Sequence, residues 1–147
     1  MRKKKFYLQY AALPFRKEQG ELFVMLVTSR ETKRWVLPKG WPEKDLKPYQ
    51  VAETEAFEEA GLKGDIAKTP IAAFEYAKVI DPKRTVKCLV DVFPLHVHQE
   101  LDQWPEQHQR QRVWMRPDAA AAAVAEKGLK RLLLAFAAEP SQADFAD

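Results

Sequence analysis

The chain has 147 residues and a mass of 17.0 kDa, with 46% apolar, 31% charged and 11% aromatic residues, which suits one globular domain and excludes a fibre or a disordered tail. A domain of this length buries about two thirds of its unfolded surface, and the single Cys88 cannot close an intramolecular bridge, so a reducing, cytoplasmic setting is expected. Its apolar runs, such as Ala119 to Ala125 and Leu132 to Ala138, fall far short of the roughly 20 residues of a membrane span, and the residues after the basic Met1 to Lys5 lack a secretory pattern.

In chain order, Phe6, Leu8, Tyr10 and Ala12 alternate as one face of a first strand, and Leu22 to Thr28 is an apolar, β-branched run bounded by Gly20 and Ser29; the two predict a hairpin. Trp35 to Leu37 forms a short third strand that stops at Pro38, before a loop opened by Gly40, Trp41 and Pro42. A helix is predicted from Pro48, suited to a first turn, to Ala60, with Gly61 as its C-terminal cap. Ile71 to Ile80 and Thr85 to His98 predict two long strands about a turn at Asp81 to Lys83. Leu101 to Arg112 reads as a polar loop, Val113 to Met115 as a short strand, and the alanine run after Pro117 and Asp118 as a helix, with a break at Gly128 before Leu129 to Ala138. These elements make one mixed α and β domain over residues 1–147, with residues 1–4 and 140–147 expected to fray.

The net charge of +3 conceals a segregation: residues 1–39 carry +7, residues 40–62 carry −4, and the remainder is balanced. Within the acidic block, Glu55, Glu58 and Glu59 stand at i, i+3 and i+4, on one side of the predicted helix. Like charges at these spacings repel. They are either an acidic solvent-facing stripe or a set of oxygen ligands for a hard cation, for which Mg²⁺ or Mn²⁺ is the natural match. Ala52, Ala56 and Ala60 form the adjoining stripe, suited to packing on a sheet.

The sequence around these glutamates settles between the two. Gly40, Glu55, Ala56, Glu58, Glu59, Gly61 and Leu62 resemble, at matching spacing and without a gap, the box of the Nudix hydrolases, GX5EX7REUXEEXGU with U aliphatic. Two positions depart from that pattern: Leu46 replaces its first Glu and Thr54 replaces its Arg. Asp45, one residue early, is a candidate to cover the missing acid. Val27 to Arg30 with Arg34 to Pro38, and later Arg110 to Trp114, further resemble the diphosphoinositol polyphosphate and diadenosine polyphosphate phosphohydrolases of that family.

The resemblance implies an α/β/α sandwich, with a mixed central sheet, the box helix on one side and the C-terminal helices on the other. It implies a metal-dependent hydrolase that cleaves a phosphoanhydride in a nucleoside or inositol polyphosphate. Glu55, Glu58 and Glu59 would be its metal ligands, with Glu58 and Glu55 as catalytic carboxylates. Two alternatives stay open: a binding or regulatory module that has lost turnover with the missing Arg and Glu, and an RNA 5′-end pyrophosphohydrolase whose basic Met1 to Lys5 arm would touch the RNA backbone.

Arginine forks match phosphate oxygens, and the basic residues around the box are candidates for holding a polyphosphate. Arg30, Arg34, Lys39 and Gly40 stand first, with Lys83, Arg84, Arg110 and Arg112 completing a rim. Glu100, Asp102 and Glu106 lie in the late loop and read as solvated. His96 and His98 share a strand face, but no third nitrogen or sulfur ligand is spaced to join them. Of the four tryptophans, Trp41 alone sits at the box loop, where it could stack a base.

Overall fold

A computed structural model describes residues 6–138. The expected fraying at residues 1–4 and 140–147, and any role of the basic arm, lie outside the described residues. The elements in order are β1 (Tyr7–Glu18), β2 (Glu21–Thr28), β3 (Trp35–Val36), β4 (Lys39–Gly40), α1 (Pro48–Ala60), β5 (Leu62–Ile66), β6 (Ala72–Asp81), β7 (Arg84–Glu100), β8 (Arg112–Met115), α2 (Pro117–Ala123) and α3 (Lys127–Ala138).

The strands form one mixed sheet with the path β3-β2-β1-β7-β5, onto which β4, β6 and β8 pair at β1, β7 and β2. Among the strands of the described residues β1 and β7 pair in parallel, from Tyr7 opposite Cys88 to Phe15 opposite His96, and the other strand pairs are antiparallel. The predicted hairpin is present: Glu18 pairs with Glu21 across a two-residue turn in which Gln19 and Gly20 both have positive φ, at 52° and 82°, the backbone of a type I′ turn. Strand β1 runs further than its alternation suggested, straight through Pro14. That residue falls between the stretch paired with β4, at Tyr10 and Ala11, and the stretch paired with β2, from Phe15 onward, where a missing N–H breaks no ladder bond.

Side-chain parity then builds two cores. Ala11, Leu13 and Phe15 of β1, Val24 and Leu26 of β2, and Val90 and Val92 of β7 pack with α2 and α3 through Ala120, Leu129, Leu133 and Phe136. The alternate residues Ala12, Met25, Val27, Phe93, Leu95 and Val97 pack on the opposite face against Ala52, Ala56 and Ala60 of α1. This is the α/β/α sandwich expected, with the alanine stripe seated on the sheet and the glutamate stripe beside it.

Helix α1 has the ends its sequence predicted. Pro48 occupies its first turn, the Lys47 N–H donates to Gln50 Oε1 at 2.8 Å, and Gly61 adopts the left-handed conformation, its N–H reaching Phe57 O at 3.0 Å. Directly after Gly61 the chain enters β5, antiparallel to β7, which the sequence reading did not include.

Candidate active site

The site is built where α1, β4 and the loop between β7 and β8 meet. Strand β4 is two residues long and is held by pairing of Tyr10 with Gly40 and of Ala11 with Lys39. This pairing sets Gly40 against the side chain of Glu55: a Cβ at position 40 would lie 2.7 Å from Glu55 Cδ and 2.9 Å from its Oε1. Glycine is therefore required for close approach, rather than for unusual backbone geometry.

Glu55 and Glu59, one helical turn apart, line a cleft of about 1430 Å³ together with Arg30, Arg34, Lys39, Gly40 and Arg110. Glu58 and the exposed Lys83 and Arg84 are not among its lining residues. Lys83 lies in the β6–β7 turn, where Asp81 Oδ1 accepts from its N–H at 2.8 Å, and Arg84 opens β7 opposite Asp81. Arg112 is also outside the lining: its guanidinium donates to the carbonyls of Ala60 at 2.7 Å and Leu101 at 2.8 Å and lies 3.8 Å over the Trp104 ring. It fastens the late loop to the end of α1.

Arg110 has a different position from a phosphate-gripping rim residue. Its side chain is 10% exposed, its Nε is 2.7 Å from Glu106 Oε1, its Nη2 is 3.5 Å from Glu59 Oε1, and its Nη1 donates to Thr28 O at 3.0 Å. All three guanidinium nitrogens are thus engaged, two of them by carboxylates of the site. With Thr54 standing where the box pattern has Arg, Arg110 brings a guanidinium to the helix carboxylates from the loop instead. The late loop is tied to α1 at further points, with Trp104 Nε1 donating to Glu59 O at 3.1 Å, the Glu106 N–H to Glu58 O at 3.0 Å and the Leu101 N–H to Gly61 O at 2.8 Å. Gly61 leaves room for the Trp104 ring, which a Cβ would meet at 2.7 Å.

Electrostatics mark the same residues. Burial, followed by the charges of Glu58, Glu106 and Glu43, pushes the Glu55 carboxyl up to about 7. Burial pushes Glu59 up to about 8, with Arg110 opposing and Glu55 adding to the rise. Lys39, packed with its Nζ 5.2 Å over the Tyr76 ring, is held below the usual lysine range by desolvation, against the pull of Glu126 and Glu59. Glu55 Oε2 is buried without a hydrogen-bond partner. An orphaned carboxylate oxygen beside a second buried carboxylate fits a hard divalent cation, which satisfies the one and neutralises both.

Several residues outside the sequence reading reach the cleft. Glu43 lines it, whereas the exposed Asp45 does not, so Glu43 is the acid of the box loop that faces Glu55. Glu106, expected in solvent, lines the cleft in an ion pair with Arg110. Tyr76 from β6 and Lys127 and Arg131 from α3 complete the wall; the i, i+4 spacing of the last two was the one signal the sequence held for them. Trp41, expected at the box loop, is 42% exposed and lines the cleft. Among the described residues, no helix is long and apolar enough to cross a membrane.

Comparison with known proteins agrees with the fold. Nudix hydrolase 12, mitochondrial, of Arabidopsis thaliana is 31% identical over 120 residues, covering 80% of this chain and 59% of that protein. Diphosphoinositol polyphosphate phosphohydrolase 3-alpha of Homo sapiens is 31% identical over 117 residues, covering 78% of this chain and 67% of the relative. The chain thus spans about three fifths to two thirds of the length of these curated relatives. Among solved structures, a C. elegans Ap4A hydrolase binary complex shares the fold, with a TM-score of 0.69 at 18% identity, over 92% of this chain and 98% of that one. The family model for the NUDIX domain matches residues 7–136, nearly the whole described chain, and the chain belongs to the Nudix family.

Proposed function

We propose that this chain is a hydrolase that cleaves a phosphoanhydride bond in a small-molecule nucleoside or inositol polyphosphate, of the diadenosine polyphosphate or diphosphoinositol polyphosphate class, with Mg²⁺ or Mn²⁺. The observation that carries the reading is the pairing of the half-buried Glu55 and the buried Glu59, both raised in pKa, with the orphaned Glu55 Oε2, at a cleft that also holds Arg30, Arg34 and Lys39. Negative and positive groups on one cleft suit a cation and the polyanion it accompanies. The names of the relatives, among them a diphosphoinositol polyphosphate phosphohydrolase and an Ap4A hydrolase, support the substrate class.

In this mechanism Glu55 and Glu59 would hold the divalent ion in the cleft, with Glu58, on the same helix but outside the cleft lining, as the third ligand that the box pattern implies. When bound, that ion neutralises phosphate charge and makes water a better nucleophile. Arg30 and Arg34, both exposed at the mouth, and Lys39 bind the polyphosphate oxygens, while Gly40 leaves the space that Glu55 fills. Glu58 or Glu55 takes the proton of the attacking water; of the two, Glu55 lines the cleft. Arg110 orients Glu59 and Glu106 rather than touching substrate.

The test is hydrolysis of diadenosine polyphosphates, diphosphoinositol polyphosphates and 5′-triphosphorylated RNA, with and without Mn²⁺. Turnover of either small-molecule class that requires metal supports the proposal. Binding of these ligands with no turnover in any metal would replace it with a binding module, and turnover confined to RNA would replace the substrate class.

A further inference from the structure

Away from the cleft, the sheet brings together three side chains that the proposed hydrolysis does not use. His96 and His98 lie on one face of β7, and β5 sets Asp65 directly opposite His96. One ligand atom from each of Asp65, His96 and His98 lies within 4.8 Å of the others. His98 Nε2 is 2.6 Å from Asp65 Oδ2, and the two imidazole rings are 4.6 Å apart at their centres. None of the three is among the residues that line the cleft.

The local backbone explains why the three converge. The register between β5 and β7 shifts between Lys63 and Gly64: Lys63 faces Gln99 while Gly64 faces Val97, which leaves His98 as the extra residue of a bulge. Such a bulge re-aims a side chain, and here the side chain is turned back to Asp65. His96 is fixed from the other side by stacking on Phe15, with ring centres 5.1 Å apart and planes 6° from parallel. Its Nδ1 is buried without a hydrogen-bond partner, so no hydrogen bond competes with a ligand at that atom.

We propose that Asp65, His96 and His98 form a second metal site, selective for a borderline first-row ion such as Zn²⁺ and separate from the glutamate site of the cleft. Two imidazoles and one carboxylate are the donor set that suits Zn²⁺ better than Mg²⁺, and three protein ligands leave a fourth position for water. Donors around a tetrahedral zinc stand about 3.3 Å apart, given metal–nitrogen bonds of about 2.0 Å, so the triad must adjust: the 2.6 Å His98–Asp65 contact must open, and any wider separation, up to 4.8 Å, must close. It is free to do so, because the side chains of His98 and Asp65 are 52% and 61% exposed, while His96 supplies the fixed point. The ion would clamp β5 to the C-terminal half of β7.

The experiment is a calorimetric titration of the untagged full chain with Zn²⁺, in millimolar Mg²⁺ to occupy the carboxylate site. The wild type is expected to take up one equivalent in the micromolar range, with a rise in Tm. His98→Gln and Asp65→Asn change exposed side chains, so each is expected to fold as the wild type does and to weaken that equivalent at least tenfold. Glu55→Gln/Glu59→Gln, which removes the cleft site, is expected to retain it. In the wild type, Zn²⁺ should also shift the ring-nitrogen NMR signals of both His96 and His98. No Zn²⁺ uptake under these conditions, uptake unchanged in His98→Gln and Asp65→Asn, or uptake lost in the double glutamate variant would each overturn the site.

Discussion

The carboxyl group of Glu55 occupies the space that a side chain on Gly40 would need, with Cδ 2.7 Å from where a Cβ would be placed. Gly40→Ala is therefore expected to displace Glu55 while leaving the cores untouched. Movement of a reacting or metal-holding group by about 1 Å costs about 100-fold in rate, so kcat should fall by that order. Thermal unfolding, measured alongside, should change little.

Arg110 supplies the positive charge that Thr54 cannot. Arg110→Ala is expected to lower metal affinity or activity by about 10- to 100-fold, as loss of a partner that orients metal ligands does. Because Glu59 and Glu106 would then be left without their cation, the variant should also unfold at lower temperature. Separate measurement of the metal dependence and of substrate KM distinguishes this role from phosphate binding: the metal dependence should move and KM should not.

The basic residues divide by position. Arg30→Ala and Arg34→Ala remove charge from the cleft mouth and are expected to raise KM about 10-fold or more each, since a hydrogen bond to a charged group contributes about 1.5–3 kcal/mol. Lys83→Ala/Arg84→Ala, exposed and outside the cleft lining, should leave KM unchanged. Arg112→Ala removes two bonds to main-chain carbonyls and should instead cost about 2–3 kcal/mol of stability, read by denaturant unfolding.

What was legible in the sequence, and what was not, follows from how local each signal is. Helix α1 carries its own punctuation in Pro48 and Gly61 and its own stripe in Ala52, Ala56 and Ala60, so both its bounds and its buried face could be read without the fold. The seven box positions likewise located Glu55 and Glu59. Strand β5 could not be read, because Leu62 to Ile66 holds one buried apolar residue and owes its conformation to pairing with β7. With β5 unseen, Asp65 could not be joined to His96 and His98. Arg110 and Arg112 read alike as basic residues two apart; only the loop's path shows that one turns to Glu59 and the other to the carbonyls of Ala60 and Leu101.

The raised carboxyls give the metal-free protein a specific pH dependence. Glu55 and Glu59 sit at about 7 and about 8 when folded, against an ordinary 4.5. Between these limits the folded state binds more protons than the unfolded state, so stability falls as pH rises. Their contribution is complete below about pH 4.5 and is lost as pH passes through 7 to 8. Tm measured in chelator should decline by several degrees between about pH 6 and about pH 8.5, since about 1 kcal/mol moves Tm by about 2–4 °C at this size. Glu59→Gln should flatten the decline, and Mg²⁺ should oppose it.

The central claim is that Glu55 and Glu59 hold the metal for phosphoanhydride cleavage, and its most direct test is hydrolysis by wild type, Glu55→Gln and Glu59→Gln across a Mn²⁺ titration. Metal-dependent turnover is expected in the wild type, with a loss of at least about 100-fold in kcat in each variant and folding intact by circular dichroism. Turnover in either variant equal to wild type at every Mn²⁺ concentration would contradict it.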